Sequence, residues 1–97
     1  MYDVVVIGAG VIGASVAREL ARYKAKVLVL EKENDVGNVT SMANSAIVHS
    51  GYDPKPGTSK AKYNVEGNTM FDLLTKELDV EFTRIGSLTC ATNDEEM

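Results

Sequence analysis

An α/β fold organised around a βαβ unit with parallel strands follows from three features of the first part of the chain. Val4-Val5-Val6-Ile7 and Val27-Leu28-Val29-Leu30 are unbroken apolar runs of strand length, the pattern of parallel strands covered on both faces rather than of an amphipathic edge. Between them, Val11 to Tyr23 consists of good helix formers, with Ile12, Val16, Leu20 and Tyr23 on one stripe and Gly13, Ala17 and Ala21 forming a ridge of small residues at a spacing of four. The turn that joins the first strand to this helix is Gly8-Ala9-Gly10-Val11-Ile12-Gly13.

The first strand is expected over Tyr2 to Ile7 and the helix over Val11 to Tyr23. Lys24 and Lys26 follow at the helix C-terminus, where cations suit the macrodipole, and the second strand covers Val27 to Leu30. Residues 31 to 57 hold most of the turn-prone composition, including Asn34, Asp35, Gly37, Asn38, Gly51, Asp53, Pro54, Pro56 and Gly57, and long loops of this kind are usually either functional or disordered. Within them Thr40 to Ser45 is expected as a short helix and Ala46 to His49 as a short strand. Thr58 or Ser59 caps a further helix whose apolar face is Tyr63, Gly67, Met70, Phe71, Leu74 and Leu78. Val80 to Ala91 alternates in places and contains Gly86, which predicts one or two strands, and Asn93-Asp94-Glu95-Glu96 reads as the opening turn of another helix. Three segments result: 1–31, the βαβ unit; 32–57, a loop segment; and 58–97, a helix with the strands after it.

Composition narrows the function classes. The chain has 97 residues, 44% apolar and 25% charged, with 8 Gly and 2 Pro, which is the composition of a globular domain. No apolar run approaches the roughly 20 residues of a membrane helix, and the N-terminus shows no basic segment or cleavage site of a secretory signal. A cytoplasmic protein is expected, or one peripheral at the inner face of a membrane. Cys90 is the single cysteine, so neither an intrachain disulfide nor a multi-cysteine metal site is available. Residues 1–62 carry +2 and 63–97 carry −6 of the net −4. A tail of that sign repels phosphodiester backbones, and no Lys/Arg stripe with interleaved aromatics exists, which argues against a nucleic-acid partner.

The glycine turn carries the chemistry. At ordinary glycine frequency, G-x-G-x-x-G arises by chance in roughly 3% of chains this long, so the context decides. Here the motif follows a buried-type strand, opens a helix, and precedes a second strand that ends in Glu31. Gly8 permits the tight turn, Gly10 removes the Cβ that would block a pyrophosphate, and Gly13 lets the helix approach the sheet. The helix N-terminus, with Val11 and Ile12 in its first turn, presents free N–H groups and about half a positive charge to phosphates. Glu31 can accept hydrogen bonds from both ribose hydroxyls of an adenosine while repelling a 2′-phosphate. The site thus suits FAD or NAD rather than NADP, and the motif alone does not separate those two.

Beyond the turn, Gly37 follows Glu31 by six residues, and Thr40-Ser41-Met42-Ala43-Asn44-Ser45-Ala46-Ile47-Val48-His49-Ser50-Gly51 comes next. With the glycine turn, this sequence resembles the FAD-dependent oxidoreductases of the D-amino-acid oxidase and glycerol-3-phosphate dehydrogenase type over nearly the whole chain. The resemblance implies a Rossmann-like FAD-binding βαβ unit with a parallel sheet, in which Gly8, Gly10, Val11, Ile12, Gly13, Glu31 and Lys32 contact the cofactor. Thr40 and Ser41 would donate to its pyrophosphate, and Asn44 and Ser45 would lie near the ribityl chain or flavin ring. Ala46 departs from the glycine expected at its position. His49, the single histidine, would be the catalytic candidate, facing the flavin and stabilising charge on it, without a covalent linkage; read from composition alone, it is a structural residue.

The stretch from Asn44 to Gly51, the helix start Pro56-Gly57-Thr58-Ser59-Lys60-Ala61 and Phe82-Thr83-Arg84-Ile85-Gly86-Ser87-Leu88 are most similar to the glycerol-3-phosphate dehydrogenase and L-2-hydroxyglutarate oxidase branch, the former favoured. The resemblance implies that the chain is an N-terminal fragment, truncated before the substrate domain is complete and inactive alone. The parent would oxidise sn-glycerol 3-phosphate to dihydroxyacetone phosphate and pass electrons to a separate acceptor. Its base and phosphate-binding arginines would lie beyond residue 97, since Arg84 alone cannot form such a clamp. An L-2-hydroxyglutarate or amino-acid oxidase fragment is the alternative, and a free-standing nucleotide-binding module without catalysis is another. An NAD-dependent enzyme would leave Thr40 to Gly51 without a purpose. Exposed sheet edges would favour a homodimer or strand exchange. Cys90 is expected as buried filler in a strand, Met42 and Met70 as packing residues, Lys60 and Lys62 as solvated, and Glu77, Asp79 and Glu81 as a solvated acidic turn with no metal-ligand spacing.

Overall fold

The computed structural model describes residues 1–95. The chain divides into two compact units, Met1–Ile47 and Val48–Met97, so the division falls inside the expected loop segment 32–57.

In the first unit, strand β1 (Val4–Ile7) leads into helix α1 (Val11–Leu20) and strand β2 (Val27–Leu30). The strands pair in parallel with Val4 opposite Val27 and Ile7 opposite Leu30, and α1 lies against both. The ladder is closed at each end: the Asp3 and Gly8 N–H groups donate to the Lys26 and Leu30 carbonyls at 2.9 and 2.7 Å, and the Asp3 carboxylate accepts the Lys26 N–H at 2.7 Å. Tyr2 and Asp3 therefore lie outside the strand expected to include them. Helix α1 ends at Leu20 rather than Tyr23, because the Arg22 and Tyr23 N–H groups bond the Glu19 and Leu20 carbonyls. These three-residue spacings tighten the last turn out of α geometry.

Residues 40–45 form a turn and a bend, not the expected helix. Asn44 competes with the helix ladder: its Nδ2 donates to the Ser41 carbonyl and its Oδ1 accepts the Ala46 N–H, both at 2.7 Å, an Asx turn. Ala46 then adopts φ +54°, which breaks the extended conformation expected for the strand Ala46 to His49, and no strand forms there.

In the second unit, helix α2 (Ser59–Leu78) begins where expected, with the Thr58 side chain accepting the Ala61 N–H at 3.2 Å. It ends at Asp79 in the left-handed conformation, where the Asp79 and Val80 N–H groups both reach the Thr75 carbonyl. Val80 to Ala91 forms no strand. A strand requires a partner ladder, and β1 and β2 are the paired strands among the described residues; Phe82 instead sits against Phe71, ring centroids 5.6 Å apart. Asn93 to Glu95 lie in a bend and turn, and Glu96, the last residue of the expected helix opening, is outside the described residues.

Ala9 and Pro54 are the buried positions among the described residues. Cys90 is exposed and outside any strand, not buried filler, and Met42 and Met70 are exposed rather than packed. Lys60 and Lys62 are exposed as expected, pairing with Asp53 at 3.4 Å and Glu66 at 3.9 Å. No helix among the described residues is long and apolar enough to cross a membrane, and no cluster of three or more His, Cys, Asp or Glu among them could hold a metal ion.

Candidate cofactor site

The glycine turn is built by steric exclusion. Gly8 sits at φ +93°, in the left-handed region where only glycine is unstrained. A Cβ on Gly13 would collide with the Gly8 carbonyl and lie 3.3 Å from Val6 Cγ1; α1 can rest on β1 only without it. A Cβ on Gly10 would come within 3.1 Å of Ser41 Oγ. A hydrogen there keeps the helix N-terminus open toward the Thr40–Ser41 segment.

Around this turn lies an open groove of about 470 Å³ lined by Gly8, Gly10, Val11, Ile12, Thr40 and Ser41, with Gly13, Val16, Val6 and Ile7 beside them. Ser41 Oγ accepts the Val11 N–H at 2.8 Å. Its own proton is then directed away from that donor and remains available to an anion. The Ile12 and Gly13 N–H groups, in the first helical turn, have no intrahelical acceptor. Two backbone donors, a hydroxyl donor and the positive end of the helix dipole thus surround one groove, the arrangement that binds a pyrophosphate without Lys or Arg.

Glu31 is fixed from three sides. Its Oε2 accepts the Ala9 N–H at 2.6 Å, and its Oε1 accepts those of Lys32 at 2.8 Å and Glu33 at 3.0 Å. The Glu33 N–H, then that of Ala9, hold the carboxyl below the ordinary glutamate range, because hydrogen bonds to the charged form favour it. The carboxylate is pinned at the carboxyl end of β2 beside the glycine turn, with lone pairs remaining for hydroxyl donors. The Gly37 N–H donates to the Ala9 carbonyl at 3.0 Å, which ties the loop of Thr40 and Ser41 to the same turn.

The first unit therefore gathers Gly8, Gly10, Val11, Ile12, Gly13, Thr40 and Ser41 on one groove and joins Glu31 to it through Ala9. Lys32 contributes its backbone N–H to Glu31, while its Nζ pairs with Glu33 at 3.4 Å. Asn44 uses both ends of its amide within its own loop, and Ser45 is exposed on that loop. His49 belongs to the second unit. Its carbonyl accepts the Asn68 Nδ2 donor at 2.8 Å, and its ring stacks on Tyr52 with centroids 6.3 Å apart. Sequence reasoning did not single out Asn68 or Asp72. The available signal was their spacing of four on one face of α2.

Comparison with known proteins agrees with this geometry. The chain is similar to a glycerol 3-phosphate dehydrogenase of Caloramator mitchellensis, 63% identical over 97 residues, which is all of this chain and 20% of that protein. A glycerol 3-phosphate oxidase of Mycoplasma genitalium is 45% identical over 95 residues, 97% of this chain and 25% of the relative. The mitochondrial L-2-hydroxyglutarate dehydrogenase of Arabidopsis thaliana is 41% identical over 95 residues, 98% of this chain and 20% of the relative. The chain thus spans between a fifth and a quarter of the length of these curated relatives. Residues 3–97 match the profile of the DAO family, described as FAD dependent oxidoreductase, and with a glycine turn, helix N-terminus and pinned acid suited to an adenine dinucleotide, the chain belongs to that family.

Proposed function

We propose that this chain forms the adenosine and pyrophosphate part of the FAD site of a dehydrogenase that oxidises sn-glycerol 3-phosphate to dihydroxyacetone phosphate. The observation that carries the cofactor half is the groove at the N-terminus of α1, where Gly13 leaves no room for a Cβ, a Cβ on Gly10 would crowd Ser41 Oγ, and Ser41 reaches the Val11 N–H at 2.8 Å. The substrate half is supported by the identity of 63% with a glycerol 3-phosphate dehydrogenase, against 41% with an L-2-hydroxyglutarate dehydrogenase.

In this reading the Ile12 and Gly13 N–H groups and the Ser41 and Thr40 hydroxyls donate to the pyrophosphate, and Glu31 accepts from the ribose hydroxyls. FAD, when bound, supplies a two-electron acceptor that takes hydride equivalents from the alcohol carbon of the substrate. The negative charge that the backbone stabilises on Glu31 selects against a 2′-phosphate. His49 would be the residue that steadies charge developing on the flavin, the role that the resemblance implies for it. In the whole enzyme a separate acceptor would take up the electrons. In the first unit, β1 and β2 leave both outer edges of a two-stranded sheet unpaired among the described residues, which supports self-association of this chain through strand pairing or exchange.

Titration of the chain into FAD, read as flavin fluorescence anisotropy with ADP or NAD as competitor, tests the cofactor reading; the chain has no tryptophan to contribute to the signal. Saturable binding displaced by ADP and weakly by NAD is expected, and displacement by NAD as strong as by ADP overturns the FAD preference. For the substrate, dye-coupled oxidation by the whole enzyme should favour sn-glycerol 3-phosphate over L-2-hydroxyglutarate, and the reverse order moves the protein to the other branch.

A further inference from the structure

We propose that Arg84 is a positioning residue for His49, acting through the side chain of Asn68; the functional meaning of that role rests on the reading of His49 as the flavin-facing residue. The argument lies wholly within the second unit. Arg84 has donors and no acceptor. Its Nη1 donates to Asn68 Oδ1 at 2.9 Å, so the amide oxygen is committed to the guanidinium. The amide nitrogen must then face the other way, where it donates to the His49 carbonyl at 2.8 Å. An asparagine amide presents two nearly isosteric ends, and nothing but its partners decides which end points where. Arg84 makes that decision for Asn68.

Arg84 is itself oriented by more than one contact. Its Nε donates to both Asp72 oxygens at 3.0 and 2.9 Å, and its Nη2 to Asp72 Oδ2 at 2.6 Å and to the Asn68 carbonyl at 2.9 Å. The guanidinium carbon stands 5.3 Å from the centre of the Phe82 ring. Asn68 and Asp72 are one turn apart on the same face of α2, so one planar cation reads both and only a fork of fixed geometry can do so. The pairing holds the Asp72 carboxyl low and the Arg84 guanidinium high, keeping both charged.

The backbone of the His49 segment is placed for this contact. Gly51 lies at φ +107°, and a Cβ on it would come within 2.6 Å of Val65 Cγ2. The segment thus passes α2 at a distance that only glycine permits, with Asn68 gripping it two residues earlier at His49.

The test reads the hydrogen bond itself in the full chain: the scalar coupling across the bond between Asn68 Nδ2 and the His49 carbonyl carbon, with the His49 ring signals recorded alongside. Arg84→Lys keeps the charge but not the fork, and the coupling is expected to be lost. Asn68→Asp keeps an oxygen for Arg84 and removes the donor, so its His49 ring signals should move as in Arg84→Lys, and the double variant should move them no further. Helix content should stay unchanged throughout. Persistence of the coupling in Arg84→Lys, or additive shifts in the double variant, overturns the proposal. Should Arg84→Lys lose helix, Asp72→Asn provides the second variant: a weakened coupling with α2 intact is expected, and an unchanged coupling overturns it. FAD titration of the same samples keeps the two readings apart, since a wild-type chain that binds no FAD sinks the cofactor reading while the coupling still decides the role of Arg84.

Discussion

Ala46 is an L-residue at φ +54°, in a region that costs a Cβ-bearing residue roughly 1 kcal/mol. The Asx turn of Asn44 holds it there. Ala46→Gly is therefore expected to stabilise the first unit by about 1 kcal/mol, read as a higher urea midpoint with unchanged slope. The family resemblance led to a glycine at this position, and the backbone agrees with that expectation although the side chain does not. Glu31 gives a second prediction at this scale. Its carboxyl is held low by the backbone N–H groups of Glu33, Ala9 and Lys32, so its folded-state value lies below its unfolded one. The stabilisation is then complete above the unfolded glutamate value of about 4.3 and is lost as pH falls through the lower folded value. Unfolding midpoints measured down that acid range should fall in the wild type. Glu31→Gln, which turns an amide donor toward N–H groups already donating, should begin destabilised and show a flatter decline.

Whether a glycine-to-alanine change helps or harms depends on the element that receives it. In α1, Gly13→Ala drives a Cβ into the Gly8 carbonyl and should cost about 3 kcal/mol, the upper range for overpacking, with loss of FAD binding in the anisotropy titration. In α2, Gly67 has nothing within 4 Å of its Cβ position, and Gly67→Ala should stabilise the helix by about 1 kcal/mol, read in thermal melts. The same contrast explains what could be read from sequence. The strands Val4–Ile7 and Val27–Leu30, the start of α1 and the whole of α2 are specified by local pattern and by caps such as Thr58. The strands expected at Ala46 to His49 and Val80 to Ala91 are not, because a strand exists only with a partner and local alternation does not name one. The groove was legible through its glycines and Glu31. The grip of Asn68 on His49 was not, since it depends on Arg84 folding back onto α2 from the irregular segment that follows the helix.

At the scale of the molecule, the described residues expose much apolar surface. Ile7 is 85% exposed, Ile12 78% and Leu30 49%, although these positions sit in or beside the βαβ unit. Unpaired edges next to apolar faces favour association, so light scattering after size exclusion is expected to show dimers whose fraction rises with concentration. A monomer across the accessible range would count against self-association. The acidic charge of residues 63–97 opposes this tendency at low ionic strength, and added salt should therefore favour the dimer.

The hydrogen bond from the Val11 N–H to Ser41 Oγ also has a consequence in time. First-turn amides of a helix exchange their protons with solvent readily, because they lack intrahelical acceptors. Val11 should exchange more slowly than Ile12 and Gly13 beside it, and Ser41→Ala should bring all three to one rate. An anion seated in the groove would slow Ile12 and Gly13 while leaving Val11 nearly as it was, so the order in which three neighbouring amides take up deuterium distinguishes the empty turn from the filled one.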